Sequence, residues 1–200
     1  YCNSLLFKDI FTLGGIRLND KFERLVQYLA YNIGSIISYD ALAREVGLNK
    51  NTVADYIRLL EQCFIVKVCP SFSRNLSNEL KKSKKIYFYD NGIRNAVIQD
   101  FSPLNNRQDA GALWENFVFT ERLKCHSMRK DYAKIFFWRT SENKPHELDF
   151  IEVVDGKLSA IECKLSPEEV AKPGKAFRAA YPECEIHTVS PKDIMEVWEL

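Results

Sequence analysis

No apolar run in this chain approaches the length needed to span a bilayer, so no membrane partner is expected. The opening residues, Tyr1-Cys2-Asn3-Ser4-Leu5-Leu6-Phe7-Lys8-Asp9, lack the order of a signal peptide and an initiator methionine. The chain is therefore expected to be a fragment cut from something longer. Its six cysteines include no Cys-x-x-Cys pair and have no histidine at zinc spacing, which predicts ordinary reduced thiols and a cytoplasmic compartment. His126, His146 and His187 are scattered and read as surface or hydrogen-bonded residues rather than ligands. An excess of one charge is missing too: 28 Lys and Arg against 27 Asp and Glu leave a net charge of +1. Affinity for nucleic acid would have to come from local patches. Finally, no Gly-x-x-x-x-Gly-Lys occurs, so these residues carry no phosphate-binding loop and are not expected to bind ATP.

What is present is a 200-residue chain with 46% hydrophobic and 28% charged residues, enough for one large domain or two small ones. Its most informative stretch runs Glu147-Leu148-Asp149-Phe150-Ile151, then Asp155-Gly156, then Ile161-Glu162-Cys163-Lys164. Asp155-Gly156 is a hairpin signal, so Phe150 to Val154 and Leu158 to Lys164 are expected to pair as antiparallel strands. Side chains alternate along a strand, which puts Glu162 and Lys164 on one face and Ile161 and Cys163 on the other, with Asp149 near Glu162. Two carboxylates can hold Mg²⁺ or Mn²⁺ together with water and substrate phosphate, and a lysine can stabilise phosphate charge or orient the attacking water. The same residues could instead form a solvated face whose ion pairs are worth about 0–1 kcal/mol each.

In the first half, Phe22, Leu25, Val26, Leu29, Ala30 and Ile33 form the stripe of an amphipathic helix stopped by Gly34. Ser38 is expected to cap a second helix through Val46, ended by Gly47. Asn49 caps a third, Lys50 to Gln62, with Val53, Ile57 and Leu60 facing a core. Strands are expected at Phe64 to Val68 and Ile86 to Tyr89, joined by a basic stretch and followed by the punctuation Asp90-Asn91-Gly92. This is a winged helix-turn-helix pattern. If its third helix enters a major groove, Lys50, Asn51, Thr52 and Arg58 are the readers, and Lys81, Lys82, Lys84 and Lys85 form the basic wing. Asp55 and Glu61 oppose that reading by repelling phosphate. The basic stretch also fits a solvated loop, and the module also fits a packing or dimerisation role.

A linker around Asp100 to Ala110 separates the halves. Beyond it Gly111 opens a helix to about Lys124, with Leu113, Trp114, Phe117 and Val118 as its apolar arc. A strand from Lys134 to Arg139, the turn Ser141 to Pro145, the Asp149 and Glu162 strands, a helix within Pro173 to Tyr181 and a strand from Glu185 to Val189 follow. The order α, β, β, β, α, β fits a mixed sheet flanked by helices, as in the core of restriction-endonuclease-like folds. The fold class expected is thus α/β (α+β), with the winged helix first and the nuclease-like sheet second.

The stretches Gly111-Ala112-Leu113-Trp114-Glu115-Asn116-Phe117-Val118, Phe137-Trp138-Arg139-Thr140, Glu147-Leu148-Asp149-Phe150 and Ile161-Glu162-Cys163-Lys164 carry a family resemblance. Together they resemble the C-terminal domain of unknown function attached to prokaryotic AAA-type ATPases, a member of the PD-(D/E)XK nuclease superfamily. Tyr31-Asn32-Ile33-Gly34-Ser35, Asn51-Thr52-Val53 and Lys85-Ile86-Tyr87-Phe88-Tyr89-Asp90 resemble the winged-helix portion of the same ATPases, and Leu6-Phe7-Lys8-Asp9-Ile10 resembles the exit from the ATPase module. The resemblance implies a linker at 1–20, a winged helix at 21–100, a nuclease-like domain at 108–200, and an ATPase module outside these residues. It also implies a helix carboxylate, Glu115, beside Asp149, Glu162 and Lys164. Glu121 is the reserve: a helical wheel puts it inside the apolar arc, where an arginine could pair with it, and puts Glu115 at the arc's edge. A metal-dependent DNA nuclease, a non-cleaving DNA-binding module and an element that docks the ATPase, another copy or a protein partner are all compatible with these residues.

Overall fold

A computed structural model describes residues 20–72, 83–140, 146–170 and 174–200. The chain divides into two compact units, Tyr1–Val68 with Ser83–Arg107, and Cys69–Lys82 with Gln108–Leu200. Each is a mixed α/β unit with its own sheet.

In the first unit, α1 (Asp20–Tyr31) buries Phe22, Leu25, Val26, Leu29 and Ala30, a stripe at helical spacing, and places Asp20 and Glu23 in its first turn where the helix dipole favours them. After β1 (Ile36–Ile37), α2 (Tyr39–Val46) ends at Gly47, whose φ of 67° is left-handed and whose N–H donates to Ala43 O. Ser38 precedes α2 but makes no side-chain cap bond, contrary to expectation. Asn49 does cap α3 (Lys50–Gln62): its side chain accepts from Thr52 N at 2.8 Å.

The chain then departs from the sequence pattern. Phe64 adopts φ 55° in a turn, so β2 (Val66–Pro70) starts two residues later than expected. β3 (Lys84–Phe88) starts two residues early, because Lys84 and Lys85 pair with Ile37 and Ile36 of a strand too short to announce itself. The sheet order is β1-β3-β2. Asp90 is not punctuation but the cap of α4 (Asn91–Ile98), accepting from Ile93 N at 2.9 Å.

The second unit opens with α5 (Ala110–Arg129), which runs five residues beyond the expected Lys124 and stops where Lys130 turns left-handed. β4 (Lys134–Arg139), β5 (Glu147–Val154), β6 (Lys157–Cys163) and β7 (Glu185–Val189) form a sheet in that order, the first three antiparallel and β7 parallel to β6. Asp155 and Gly156, with φ of 49° and 80°, are both left-handed, as a two-residue type I′ hairpin requires. Phe119 of α5 packs on Phe150 with ring centroids 5.4 Å apart. Its strand neighbour Ile151 is buried instead with Ala160, Trp138 and the Phe177 and Tyr181 rings contributed by α6 (Lys175–Ala180) and the residue after it. Adjacent residues of a strand thus feed two cores, one on each face. α7 (Glu196–Glu199) packs on α5.

One irregularity interrupts the pairing of β4 with β5. Phe136 pairs with Ile151 and Trp138 with Leu148, so β5 has two residues, Asp149 and Phe150, where β4 has only Phe137. This is a β-bulge, a device that bends a strand and re-aims a side chain.

Candidate functional site

The bulge decides where Asp149 points. The ladder between β5 and β6 ends at Phe150 and Ile161, and beyond it the Asp149 Oδ2 accepts from the Cys163 N–H at 2.8 Å. The carboxylate replaces a ladder acceptor and is thereby fixed against β6.

Glu162 sits on β6 just past the end of the β5 ladder and in register with Thr188 of β7. Its Oε1 accepts from Lys164 Nζ at 2.8 Å, while its Oε2 is buried and has no hydrogen-bond partner among the described residues. A buried carboxylate oxygen is normally satisfied, so an orphan of this kind marks a place that a hydrogen-bond donor or a cation would fill. Lys164 is fixed by its backbone, whose N–H donates to Val189 O at 2.9 Å. The Glu162 hydrogen bond raises the Lys164 pKa; burial opposes the shift, and the charges of Glu162, Asp149 and Glu169 add to it. The ammonium group is therefore fully charged at neutral pH.

Glu162 and Lys164 open into a cleft of about 470 Å³ also lined by Glu168, Glu169 and Val170. Sequence reasoning does not single out these two glutamates. The one signal for them is an acidic pair following Pro167, beginning four residues after Lys164.

The start of α5 reaches the same end of the sheet. Trp114 Nε1 donates to Val189 O at 3.2 Å, the carbonyl that also holds the Lys164 backbone, and a Cβ added to Gly111 would lie 3.9 Å from Leu165. Glu115 follows Trp114 and is half-buried. Asp149, Glu162 and Lys164 are brought together, whereas among the described residues no group of three or more His, Cys, Asp or Glu side chains could hold a metal ion. Glu121 is buried and paired with Lys124 on its own helix, not with an arginine.

The candidate nucleic-acid residues fare unevenly. Lys50 is paired with Asp40 at 2.7 Å and Arg58 with Asp55, so both cations are answered within the unit. Asn51 is exposed and Thr52 half-buried at the capped start of α3. Lys84 lies over the Tyr39 ring, 4.6 Å from its centroid. Lys85 is only 2% exposed, a correction to its place on a basic wing: the early start of β3 turns it inward. Lys81 and Lys82 lie outside the described residues. Glu61, expected to face phosphate, instead accepts from Val68 N at 2.9 Å and tethers α3 to β2.

A second charged cluster, at the hairpin end of the sheet, has no counterpart in the sequence reading. Arg122 of α5 makes a two-pronged bond to Glu152 of β5 at 2.8 and 2.7 Å and donates to Val197 O at 2.9 Å. His126 lies between Glu152 at 3.2 Å and Asp131 at 2.9 Å. Burial pulls the His126 pKa down, but the two carboxylates outweigh it and raise the value; Glu152, despite its own burial, is held low by His126 and Arg122. The cluster borders a cavity of about 670 Å³ that Tyr181, Lys157 and Glu183 also line.

The five described cysteines are free thiols, and no described helix is long and apolar enough to cross a membrane. Residues 110–195 match the family described as Domain of unknown function (DUF4143). Among individual proteins, the chain is similar to uncharacterized proteins from Mycobacterium tuberculosis and Mycobacterium bovis, each 25% identical over 166 residues, covering 82% of this chain and 36% of theirs. An uncharacterized protein from Haemophilus influenzae is 26% identical over 128 residues, 61% of this chain and 30% of that one. The chain thus spans about a third of the length of the curated relatives it matches. A crystal structure of a Vibrio cholerae protein aligns with 92% of this chain and 52% of its own at 12% identity, with a TM-score of 0.29. Residues 1–105 match the family described as Domain of unknown function (DUF8612), and the chain belongs to that family.

Proposed function

We propose that the second unit is a restriction-endonuclease-like module with a Mg²⁺- or Mn²⁺-dependent site of the phosphodiester-cleaving type. On this reading the first unit is a winged helix that brings it to DNA, and both form the C-terminal part of an AAA-type ATPase. The observation that carries this reading is the buried, unpartnered Oε2 of Glu162 beside Asp149 and Lys164.

The donor set fits such a cation. Asp149 and Glu162 offer hard oxygens from neighbouring strands, and Mg²⁺ commonly takes one or two carboxylates and completes its shell with water and substrate phosphate. When bound, the ion supplies charge neutralisation at the phosphate and a more acidic water. The residues do the rest. Cys163 N–H keeps Asp149 aimed at the site and Lys164 brings a permanent positive charge to the phosphate, while Glu115, near the start of α5, does not join Asp149 and Glu162 as a third converging carboxylate among the described residues. The matched stretch is about a third of the length of the relatives, which leaves room in such a polypeptide for an ATPase module.

A non-catalytic DNA- or protein-binding module that targets the ATPase is the second reading. It is favoured by the lack of a third converging ligand among the described residues and by the internal pairing of Lys50 and Arg58. Calorimetric titration of Mg²⁺ and Mn²⁺ into the wild type and Asp149→Asn, followed by incubation with single-stranded, duplex and branched DNA, tests both. Binding lost in Asp149→Asn together with cleavage supports the nuclease. Binding without cleavage selects the second reading, and no binding at all removes the metal site.

A further inference from the structure

Resting on the metal-site reading, the arrangement of Lys164 says how the site is filled. Glu162 is fixed by the β6–β7 ladder opposite Thr188, while the Lys164 side chain, on an anchored backbone, is 28% exposed. Of the two, the lysine is the partner able to move. An ammonium group is a point charge that serves one carboxylate oxygen here, Oε1, and leaves Oε2 buried and unanswered. Asp149 also acts on the same ammonium electrostatically. A divalent cation would answer both carboxylates, but it cannot share Glu162 with an ammonium group at hydrogen-bond distance without strong repulsion.

We propose that Lys164 is the resident counter-ion of Glu162 and that a divalent cation binds by displacing it, so that the lysine leaves Glu162 only in the loaded site. The lysine thereby keeps the empty site folded and neutralised, weakens metal binding, and meets the phosphate only after the metal is in place. Its movement is a swing of the side chain about its stem, away from Glu162 within the cleft it already lines with Glu168 and Glu169.

The test is calorimetric titration of Mn²⁺ into the 200-residue chain as wild type, Lys164→Met, Lys164→Arg and Glu162→Gln, with melting temperatures read with and without Mn²⁺. Lys164→Met is expected to bind Mn²⁺ at least about tenfold more tightly than the wild type, as expected from removing a positive charge next to a divalent ion. It should melt lower than the wild type without metal and gain more from Mn²⁺. Lys164→Arg should bind like the wild type, and Glu162→Gln should not bind. If Lys164→Met does not fold, Lys164→Gln replaces it in the same comparison. Equal or weaker binding by the uncharged variant overturns the displacement and leaves the metal site standing. Failure of both the wild type and the uncharged variant to bind overturns the two together, while binding by the uncharged variant alone supports the displacement in its strongest form.

Discussion

The two ends of the four-stranded sheet treat buried charge in opposite ways. At the hairpin end Arg122, Glu152, His126 and Asp131 close on one another, with both Glu152 oxygens and both His126 ring nitrogens engaged. At the other end Glu162 keeps an oxygen that nothing among the described residues answers, and its other oxygen is paired with a lysine that solvent can reach. Both ends set strand carboxylates against cations, which come from α5 at the hairpin end and from Lys164, just past β6, at the other. The difference is satisfaction: a closed network fixes α5 against the sheet and holds the carbonyl of Val197, whereas an open one is poised to take up something else. Burial of charge alone would have singled out the hairpin end.

The largest expected effect comes from opening the closed end. Arg122→Met leaves Glu152 buried without its two-pronged partner and should lower stability by about 3–5 kcal/mol in denaturant titration. Lys164→Met in metal-free buffer should change it by less than about 1 kcal/mol, because that pair is partly exposed. Equal losses would erase the distinction between the ends.

Next is pH. His126 has a raised pKa in the fold, so its contribution is fully present below the unfolded imidazole value of about 6.5 and is lost as pH rises through the folded value. Glu152 and Asp131 are held low, so theirs is present above the unfolded carboxylate values of about 4 and is lost as pH falls through the folded ones. Stability should be highest between about pH 4.5 and 6.5. The alkaline decline, on the order of 1.5–3 kcal/mol for one hydrogen bond to a charged group, should flatten in His126→Gln. A decline of the same size in that variant would remove His126 as its source.

Gly156→Ala forces a side chain onto a φ of 80° and should lower stability by about 1–2 kcal/mol. Mn²⁺ affinity at the far end should not change, and a parallel loss of affinity would show that the ends are coupled. The smallest effect expected is on the stability of Asp149→Asn, within about 1 kcal/mol of wild type without metal, since the amide oxygen can still accept from Cys163 N–H. A large drop in melting temperature would make Asp149 a structural residue.

Much of the candidate site was legible because it is local. Glu162 and Lys164 are two residues apart on one strand, where the alternation of side chains puts them together, and Asp155-Gly156 selects its own turn from backbone preference. The bulge at Asp149 was not legible, since it is a mismatch between β5 and β4 that neither strand shows alone. Arg122 and Glu152 are thirty residues apart, and a helical wheel that sorts residues by polarity assigns an arginine to solvent. Lys85 was misread for a related reason: its burial follows from pairing with Ile36, forty-nine residues earlier.

The amino-acid sequence by itself determined the bounds of α3, the hairpin of β5 and β6, the shared face of Glu162 and Lys164, and the amphipathic stripe of α1, because caps, turns and periodicity act within a few residues. Only the tertiary structure decided which carboxylates are answered and which is not. Satisfaction of a buried charge depends on what distant strands and helices bring to it, and that is fixed by register and packing rather than by neighbours in the chain.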